Sequence, residues 1–128
     1  MRRVFKTRPF ARWSSKNALP DTALCRAVAE LEQGLVDADL GGSLFKKRVA
    51  LAGRGKRGGA RVIIATKQSG HWYLLAGYAK NDREKLTMEE LVSLRELAGD
   101  LIAASDALLT TLITQGRVQE ICHDRAEA

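Results

Sequence analysis

Apolar residues recur at three- and four-residue intervals near the start of the chain, which is the spacing of an amphipathic helix. Asp21 is suited to cap this helix, and we expect the helix to run over residues 21–37. A shorter helix over residues 9–16 is predicted ahead of it, because Pro9 fits a first helical turn, where its missing N–H costs nothing. The N-terminal part of the chain therefore contributes two helices.

The same helical spacing returns near the end of the chain. Thr87-Met88-Glu89-Glu90 has the form of a capping box and opens a helix. Ser105 is placed to cap a further helix, which Gly116 ends. The buried stripe of the first of these helices is predicted to consist of Leu91, Leu94, Leu97, Ala98, Leu101 and Ile102. We expect the last residues of the chain, including His123, to be loose.

Alternating and β-branched residues predict strands between the two helical parts. Strands are expected over residues 43–51, 61–67 and 71–79, the last two as a hairpin, with a glycine-rich loop over residues 53–59. Residues 2–6 form a further short strand that is too basic for the centre of a core. This order of elements predicts one α+β domain, in which a small antiparallel β-sheet packs with two N-terminal helices and C-terminal helices.

Positive charge is concentrated in the middle of the chain. Residues 40–81 contain nine Lys or Arg and no Asp or Glu, whereas residues 82–128 contain ten acidic and five basic residues. The basic residues alternate with β-branched and aromatic ones, so we interpret them as a charged face of a sheet rather than a solvated tail. This pattern favours a polyanionic partner. Nucleic acid ranks first, an acidic protein second and a membrane surface third, because a membrane would favour a basic amphipathic helix.

The cysteines and the N-terminus predict a cytoplasmic protein. Cys25 and Cys122 form no motif, so we expect free thiols in a reducing compartment. The first six residues are basic but lack the apolar core of a signal peptide, and the chain has no long apolar run. His71 and His123 have no Cys or carboxylate at ligand spacing, so neither a metal nor a cofactor is expected.

The sequence lacks the residues that several enzyme classes require. The glycine-rich loop does not have the Ser or Thr after Lys that a Walker A loop requires, and no Ser-His-Asp or Cys-His set can be assembled. The acidic residues of 89–100 are interpreted as the solvated face of a helix. The basic segment remains, and its arginines can bind phosphate while Tyr78 can stack on a base. A lysine crowded by other cations has a lowered pKa, which makes it a possible base for attack of an RNA 2′-hydroxyl on its own phosphate.

Three segments of the basic middle form a specific combination. They are Gly42-Ser43-Leu44-Phe45-Lys46-Lys47-Arg48, Gly55-Lys56-Arg57-Gly58-Gly59-Ala60-Arg61-Val62-Ile63 and Tyr78-Ala79-Lys80-Asn81-Asp82-Arg83, followed by the helix start at Leu86-Thr87. This combination resembles the HigB-like branch of the RelE/ParE toxin superfamily. The order of elements agrees over residues 2–100, so we expect a family core over residues 1–100 and a C-terminal helical extension over residues 101–128.

The resemblance implies a bacterial toxin of a type II toxin–antitoxin pair that cleaves mRNA on the ribosome and so inhibits translation. Its partners would be the ribosome, mRNA and a small cognate antitoxin, expected to be a helix-turn-helix protein. Together with the basic segment, it assigns catalytic or phosphate-stabilising roles to Arg61, Lys80, Asn81 and Arg83. It assigns contacts with nucleic acid to Lys47, Arg48, Arg54, Lys56, Arg57 and Tyr78. Some family members have a Tyr or His shortly after the last motif, where this chain has Glu84-Lys85-Leu86.

Two other functions remain open at this point. The superfamily also contains gyrase poisons that share the scaffold and do not cleave RNA. A noncatalytic nucleic-acid-binding module would equally account for the basic segment.

Overall fold

A mixed β-sheet forms the middle layer of the molecule, and two helices pack on each of its faces. The computed structural model describes residues 3–51, 55–67, 70–83 and 85–123, with the backbone alone at residues 55–58. In chain order the elements of these residues are β1 (Arg3–Thr7), α1 (Arg8–Lys16), α2 (Asp21–Glu32), β2 (Ala38–Gly41), β3 (Leu44–Leu51), β4 (Gly55–Thr66), β5 (His71–Ala79), α3 (Met88–Ala103), α4 (Asp106–Thr114) and β6 (Val118–Ile121).

Within the described residues, the strands lie in the order β2-β3-β4-β5-β1-β6. Strand β1 runs parallel to β5, and the other neighbouring strands are antiparallel. The predicted α+β class is therefore confirmed, with a sheet that is mostly antiparallel. A first hydrophobic cluster lies between the sheet and helices α1 and α2, and a second cluster lies between the sheet and helices α3 and α4.

Strand β1 occupies the interior of the sheet, so the expectation that it avoids the core is wrong. Val4 is 1% exposed and belongs to the first cluster, while Phe5 is fully buried in the second. The basic residues of the strand have acidic partners: Lys6 Nζ lies 2.8 Å from Asp21 Oδ1, and Arg3 donates two hydrogen bonds to the Glu120 carboxylate. Asp21 lies 15 residues from Lys6 and Glu120 lies 117 residues from Arg3, so the local composition of the strand does not contain these partners.

The helices begin close to where their capping residues predicted. Both halves of the capping box are formed at α3, and the Ser105 hydroxyl accepts a hydrogen bond from the Leu108 N–H at the start of α4. Helix α2 differs from its prediction, because Pro20 is its N-cap and it ends at Glu32. Gly34 follows with a φ of +88°, a left-handed conformation that ends a helix readily. The residues beyond it include β2, which the sequence pattern did not predict.

No single helix in the described part of the chain is long and apolar enough to span a membrane. Helices α3 and α4, which meet at an angle of 114°, reach that length and apolarity only when counted together.

Strand β4 begins at Gly55, so most of the segment predicted as a glycine-rich loop belongs to the sheet. Leu51 pairs with Gly55 and Val49 pairs with Ala60, with a bulge in the register between these two pairs. A bulge lets a glycine-rich strand bend without losing its pairing with β3. Residues 52–54 lie outside the described residues.

Strand β6 and His123 are joined to the rest of the fold, contrary to the expectation that His123 is loose, and residues 124–128 lie outside the described residues. Strand β6 pairs antiparallel with β1, and His123 Nε2 lies 2.7 Å from the Glu120 carbonyl oxygen. The expectation of free thiols is also wrong, because Cys25 of α2 and Cys122 form a disulfide with a Cα–Cα distance of 5.8 Å. The two cysteines are 97 residues apart, so no local signal could have paired them.

Removing the disulfide should lower stability, because the cross-link closes a loop of 97 residues and restricts the unfolded chain. We expect the Cys25→Ser/Cys122→Ser variant to lose about 2–4 kcal/mol of unfolding free energy. Urea titration with and without a thiol reductant measures this. The reductant should destabilise the parent and leave the double variant unchanged; equal sensitivity of the two would contradict the disulfide.

Gly77 of β5 allows helix α1 to approach the sheet closely. A Cβ atom placed there would lie 2.5 Å from Cζ3 of Trp13, well inside van der Waals contact. The Trp13 and Phe10 rings, with centroids 5.7 Å apart, share this face of α1 as their spacing predicts. The contact explains why a central strand contains a glycine at this position.

Gly77→Ala should destabilise the protein by about 1–3 kcal/mol, because the added methyl group overpacks the Trp13 ring. The matched control is Gly99→Ala on the exposed side of α3, where an added Cβ meets no atom within 4 Å. The control should gain up to about 1 kcal/mol from helix propensity. Urea denaturation midpoints separate the two variants, and equal shifts would refute the close contact.

Candidate nucleic-acid interface

Arg48, Arg61 and Tyr78 lie side by side across three neighbouring strands. Arg48 of β3 pairs with Arg61 of β4, which pairs in turn with Tyr78 of β5. Directly paired residues point to the same side of a sheet, and their Cβ atoms are about 5 Å apart. We call these three residues the arginine–tyrosine row. Because Tyr78 belongs to the second cluster, the row faces the side of the sheet that carries α3 and α4.

Two arginines directly opposite each other are unfavourable for a sheet that has no other role. One carboxylate offsets part of this repulsion: Asp37 Oδ1 lies 3.2 Å from Arg48 Nε, and the other oxygen of Asp37 accepts a hydrogen bond from the Arg48 N–H. Arg48 and Arg61 bring two guanidinium groups, one of them paired with Asp37, to a positive strip at this point of the sheet. Such a strip is suited to an anion that can contact both side chains at once.

Arg83 extends the row at its β5 end. Its Cζ atom lies 5.7 Å from the centroid of the Tyr78 ring, within the range of a cation–π contact. Its guanidinium donates two hydrogen bonds to the Glu90 carboxylate, at 2.8 Å and 2.5 Å, and Nε donates a third to the Lys85 carbonyl oxygen. The same carboxylate accepts a hydrogen bond from the Thr87 N–H as part of the capping box. The first turn of α3 therefore fixes the orientation of Arg83.

Three side chains of this region, Glu90, Arg83 and Tyr78, have shifted pKa values. The hydrogen bonds from Arg83, and then those from Thr87, lower the pKa of Glu90 to about 2. The hydrogen bond with Glu90 raises the pKa of Arg83. Burial raises the pKa of Tyr78, partly opposed by the charges of Arg61 and Arg83. At neutral pH the phenol is therefore protonated and the Arg83–Glu90 pair is fully charged.

A cleft of about 360 Å³ opens beside the row, between β5 and the first turns of α3. Tyr78 and Arg83 line one side of the cleft, and Glu89 and Glu90 line the other. The glutamates make the α3 side unfavourable for a phosphate. A polyanion is therefore better accommodated over the sheet, at Arg48 and Arg61, than inside the cleft.

Lys80 and Asn81 are exposed in the turn that follows β5. The Lys80 N–H donates to the Gly59 carbonyl oxygen at 3.1 Å, which ties this turn to β4 two residues before Arg61. Tyr78 precedes Lys80 by two residues on the other strand. The turn therefore adjoins the arginine–tyrosine row. Four of the residues singled out in the sequence belong to the row or lie next to it along the chain: Arg48, Arg61, Lys80 and Arg83.

Two predicted contact residues do not belong to an open surface. Lys47 lies on the opposite face of β3, where it is 4% exposed and its Nζ lies 2.8 Å from Glu30 Oε1 of α2. An internal ion pair of this kind leaves Lys47 unavailable to RNA, so its assignment as a contact is wrong. Tyr78 is 5% exposed, so most of its ring is part of the second cluster and presents no stacking platform in this structure.

Three further predicted contacts are not placed by the structure. Arg54 lies outside the described residues, and the side chains of Lys56 and Arg57 lie outside them as well. Among the residues that are described, no group of three or more His, Cys, Asp or Glu is arranged to hold a metal ion.

Sequence reasoning missed the carboxylates that organise this region. Glu90 was recognised only as half of a capping box, although it also holds Arg83. Asp37 was assigned to the end of a helix and instead contacts Arg48. The seven-residue spacing between Arg83 and Glu90 across a helix start was the one local signal available; Asp37 and Arg48 are brought together only by the return of the chain into β3.

The structure defines a small α+β protein with a six-stranded mixed sheet, two helices on each face and two arginines paired across neighbouring strands. The chain matches the family model described as the RelE toxin of the RelE/RelB toxin–antitoxin system over residues 2–121. The chain therefore belongs to the RelE toxin family. A comparison with curated proteins gave no match.

Protonation of Glu90 should contribute to acid denaturation. Its pKa in the folded protein, about 2, lies below the ordinary value of 4.5, so the carboxylate adds stability above pH 4.5 that is lost as the pH falls towards 2. We expect Glu90→Gln to be less stable than the parent at neutral pH, with the difference vanishing near pH 2. Glu89→Gln on the same turn is the control. Urea unfolding at a series of pH values tests this, and a Glu90→Gln deficit that persists unchanged to pH 2 would rule it out.

Proposed function

We propose that this protein is a ribosome-dependent mRNA endonuclease, the toxin of its toxin–antitoxin pair. The observation that carries this proposal is the convergence of Arg48, Arg61 and Arg83 beside the exposed turn of Lys80 and Asn81. RelE-family membership supports the toxin role and an antitoxin partner. The antitoxin is expected to be encoded beside the toxin and to act in the same compartment. The proposed compartment is the cytoplasm, where mRNA is translated, and the Cys25–Cys122 disulfide then departs from the reduced thiols usual there.

The proposed chemistry is attack of an RNA 2′-hydroxyl on the adjacent phosphate. The new O2′–P bond closes a 2′,3′-cyclic phosphate as the bond to the 5′-oxygen of the next nucleotide breaks, and that oxygen takes up a proton from water. Arg61 binds the phosphoryl oxygens and stabilises the charge that develops on them. Lys80, in its unprotonated form, would receive the proton of the 2′-hydroxyl, and Asn81 would orient the strand. Arg83, held by Glu90, adds a fixed positive charge beside Tyr78.

The ribosome has a specific part in this proposal. The row lies on a sheet surface rather than in a deep pocket, so the protein alone provides little to bend an RNA strand into line for attack. Positioning of the reacting groups accounts for much of the rate of such reactions. A ribosome that presents mRNA already bent would supply that positioning, and Arg48 would contact its backbone.

The decisive experiment measures mRNA cleavage in a purified translation system, with 5′ ends mapped by primer extension. Arg61→Ala and Lys80→Ala should each reduce cleavage at least about 100-fold, because the first removes the charge that stabilises the phosphoryl oxygens and the second removes the acceptor of the 2′-hydroxyl proton. Arg26→Ala is the matched control, since Arg26 is exposed on α2 on the other side of the sheet. Urea midpoints verify that all three variants remain folded.

An RNA-binding assay separates recognition of the RNA from its cleavage. For a single-stranded RNA oligonucleotide, each lost phosphate contact should reduce the slope of log K against log salt by about 0.7. Arg48→Ala should show this change and Arg26→Ala should not. Cleavage equal to that of the parent in Arg61→Ala and Lys80→Ala would refute the assigned site. Intact mRNA together with inhibited DNA supercoiling by purified gyrase would instead establish the gyrase-poison alternative.

A further inference from the structure

The disulfide between Cys25 and Cys122 borders a cleft of about 640 Å³ between α2 and the end of β6. Thr22, Cys25 and Ala29 line the cleft from α2, at the three- and four-residue spacing of one helix face. Residues 119–123 line it from the other side. A space of this size admits a small molecule, so the bond can be approached in the folded protein.

The two cysteines differ in exposure. Cys25 is 6% exposed and belongs to the first cluster, whereas Cys122 packs against that cluster and is only partly buried. A disulfide is broken by attack of a thiolate on one of its sulfur atoms, and the rate depends on which sulfur can be reached. Cys122 is therefore the residue that a thiolate in the cleft attacks.

The disulfide fastens an edge strand to a helix. Within the described residues, β6 pairs with β1 alone, so its other side has no neighbouring strand. Its noncovalent attachments include the two hydrogen bonds from Arg3 to Glu120 and the buried side chains of Val118 and Ile121. Breaking the disulfide leaves these contacts and removes the covalent link to α2. A strand held in this way can open at a lower free energy than the whole sheet.

We propose that the Cys25–Cys122 bond is a reversible exchange site for a small thiol, and that its oxidation state determines how firmly β6 is held. Oxidation fastens the strand, and reduction exposes it to local unfolding and proteolysis. The cellular setting rests on the proposed function, because translation places the chain in the cytoplasm. Disulfides of cytoplasmic proteins are usually transient or redox-sensing.

The exchange takes two steps. A thiolate attacks Sγ of Cys122, a new sulfur–sulfur bond forms as the Cys25–Cys122 bond breaks, and Cys25 leaves as a thiolate that takes up a proton. A second thiolate then attacks the small thiol's own sulfur in this mixed disulfide and releases Cys122, which also takes up a proton. Two small thiols are oxidised to one small disulfide, and the protein gains two electrons and two protons. The small disulfide reverses both steps.

A permanent structural cross-link is the alternative. Structural disulfides resist reduction by the glutathione pool, and a bond enclosed between packed elements is reached only after they separate. The cleft and the partial exposure of Cys122 favour exchange in the folded protein. The two roles are distinguished by whether reduction requires unfolding.

The first experiment treats the folded full chain with glutathione, without denaturant, at the concentration of a reducing cytoplasm. Free thiols are trapped by alkylation and counted by mass spectrometry. We expect the bond to be reduced, and to form again when oxidised glutathione is added. Reduction that occurs only in urea would establish the structural cross-link and overturn the proposal.

Blocking the cleft supplies the matched variants. Thr22→Trp places a large ring one helical turn before Cys25 and should slow reduction by glutathione at least about tenfold, because the rate depends on access. Thr110→Trp is the control: Thr110 is also an exposed helical threonine, but it lies on α4, outside the cleft, and its variant should remain within about twofold of the parent. Urea midpoints of the oxidised proteins verify folding. Equal rates for both variants and the parent would refute entry through the cleft.

Amide hydrogen exchange tests the release of β6. On reduction, the amides of Val118–Ile121 should exchange at least about tenfold faster relative to those of β4 in the centre of the sheet. Cys25→Ser/Cys122→Ser should show the same relative rates without any thiol. Unchanged relative rates would contradict the proposal, since the bond would then affect only the unfolding of the whole domain. None of these measurements involves RNA, so the exchange site and mRNA cleavage fail independently.

Discussion

The pairing register of β4 determines which side chains lie on each face of the sheet. Along β4, Ala60, Val62 and Ile64 point into the first cluster, while Ile63 and Ala65 point into the second. Arg61 alternates with these residues and lies on the side of Ile63. A slip of one residue against β3 or β5 would exchange the two faces and place a guanidinium in the first cluster. The bulges between Val49 and Leu51 and between Ile63 and Ile64 fix the register on both sides of the strand.

Residues 40–81 contain no carboxylates, but in the folded protein two of their basic residues are paired with carboxylates from the segment before them. Lys47 pairs with Glu30 of α2, and Arg48 pairs with Asp37, which follows that helix. The acidic residues of the neighbouring segments thus balance part of the positive charge, and they do so selectively. The lysine that faces the first cluster is buried with its partner, whereas the arginine on the other face remains about half exposed. Charge density along the chain is therefore a poor guide to which cations meet a ligand.

Features that depend on contacts between near neighbours in the chain were predicted from the sequence, and features that depend on distant residues were not. Thr87 and Ser105 cap helices α3 and α4 through hydrogen bonds to residues three positions ahead, and both helices begin where these caps predict. The interior position of β1 and the link between Cys25 and Cys122 depend on residues about a hundred positions away, so no local pattern contains them. The site shows the same division. Arg61 and Lys80 were singled out by a family-like motif. The contact of Glu90 with Arg83 and the burial of Lys47 against Glu30 are visible only in the packed structure.

Arginines occur at both ends of α3, and their surroundings differ. Around Arg61 the neighbouring large side chains, Ile63 and Tyr78, are buried, so the accessible surface is dominated by charge. Such a surface favours a flexible polyanion whose affinity comes from phosphate contacts and falls with salt. Around Arg12 and Arg117 the neighbouring Leu97 and Leu108 are exposed, so apolar surface accompanies the positive charge. The exposure of apolar residues next to the arginines, rather than the number of arginines, therefore distinguishes the two surfaces physically.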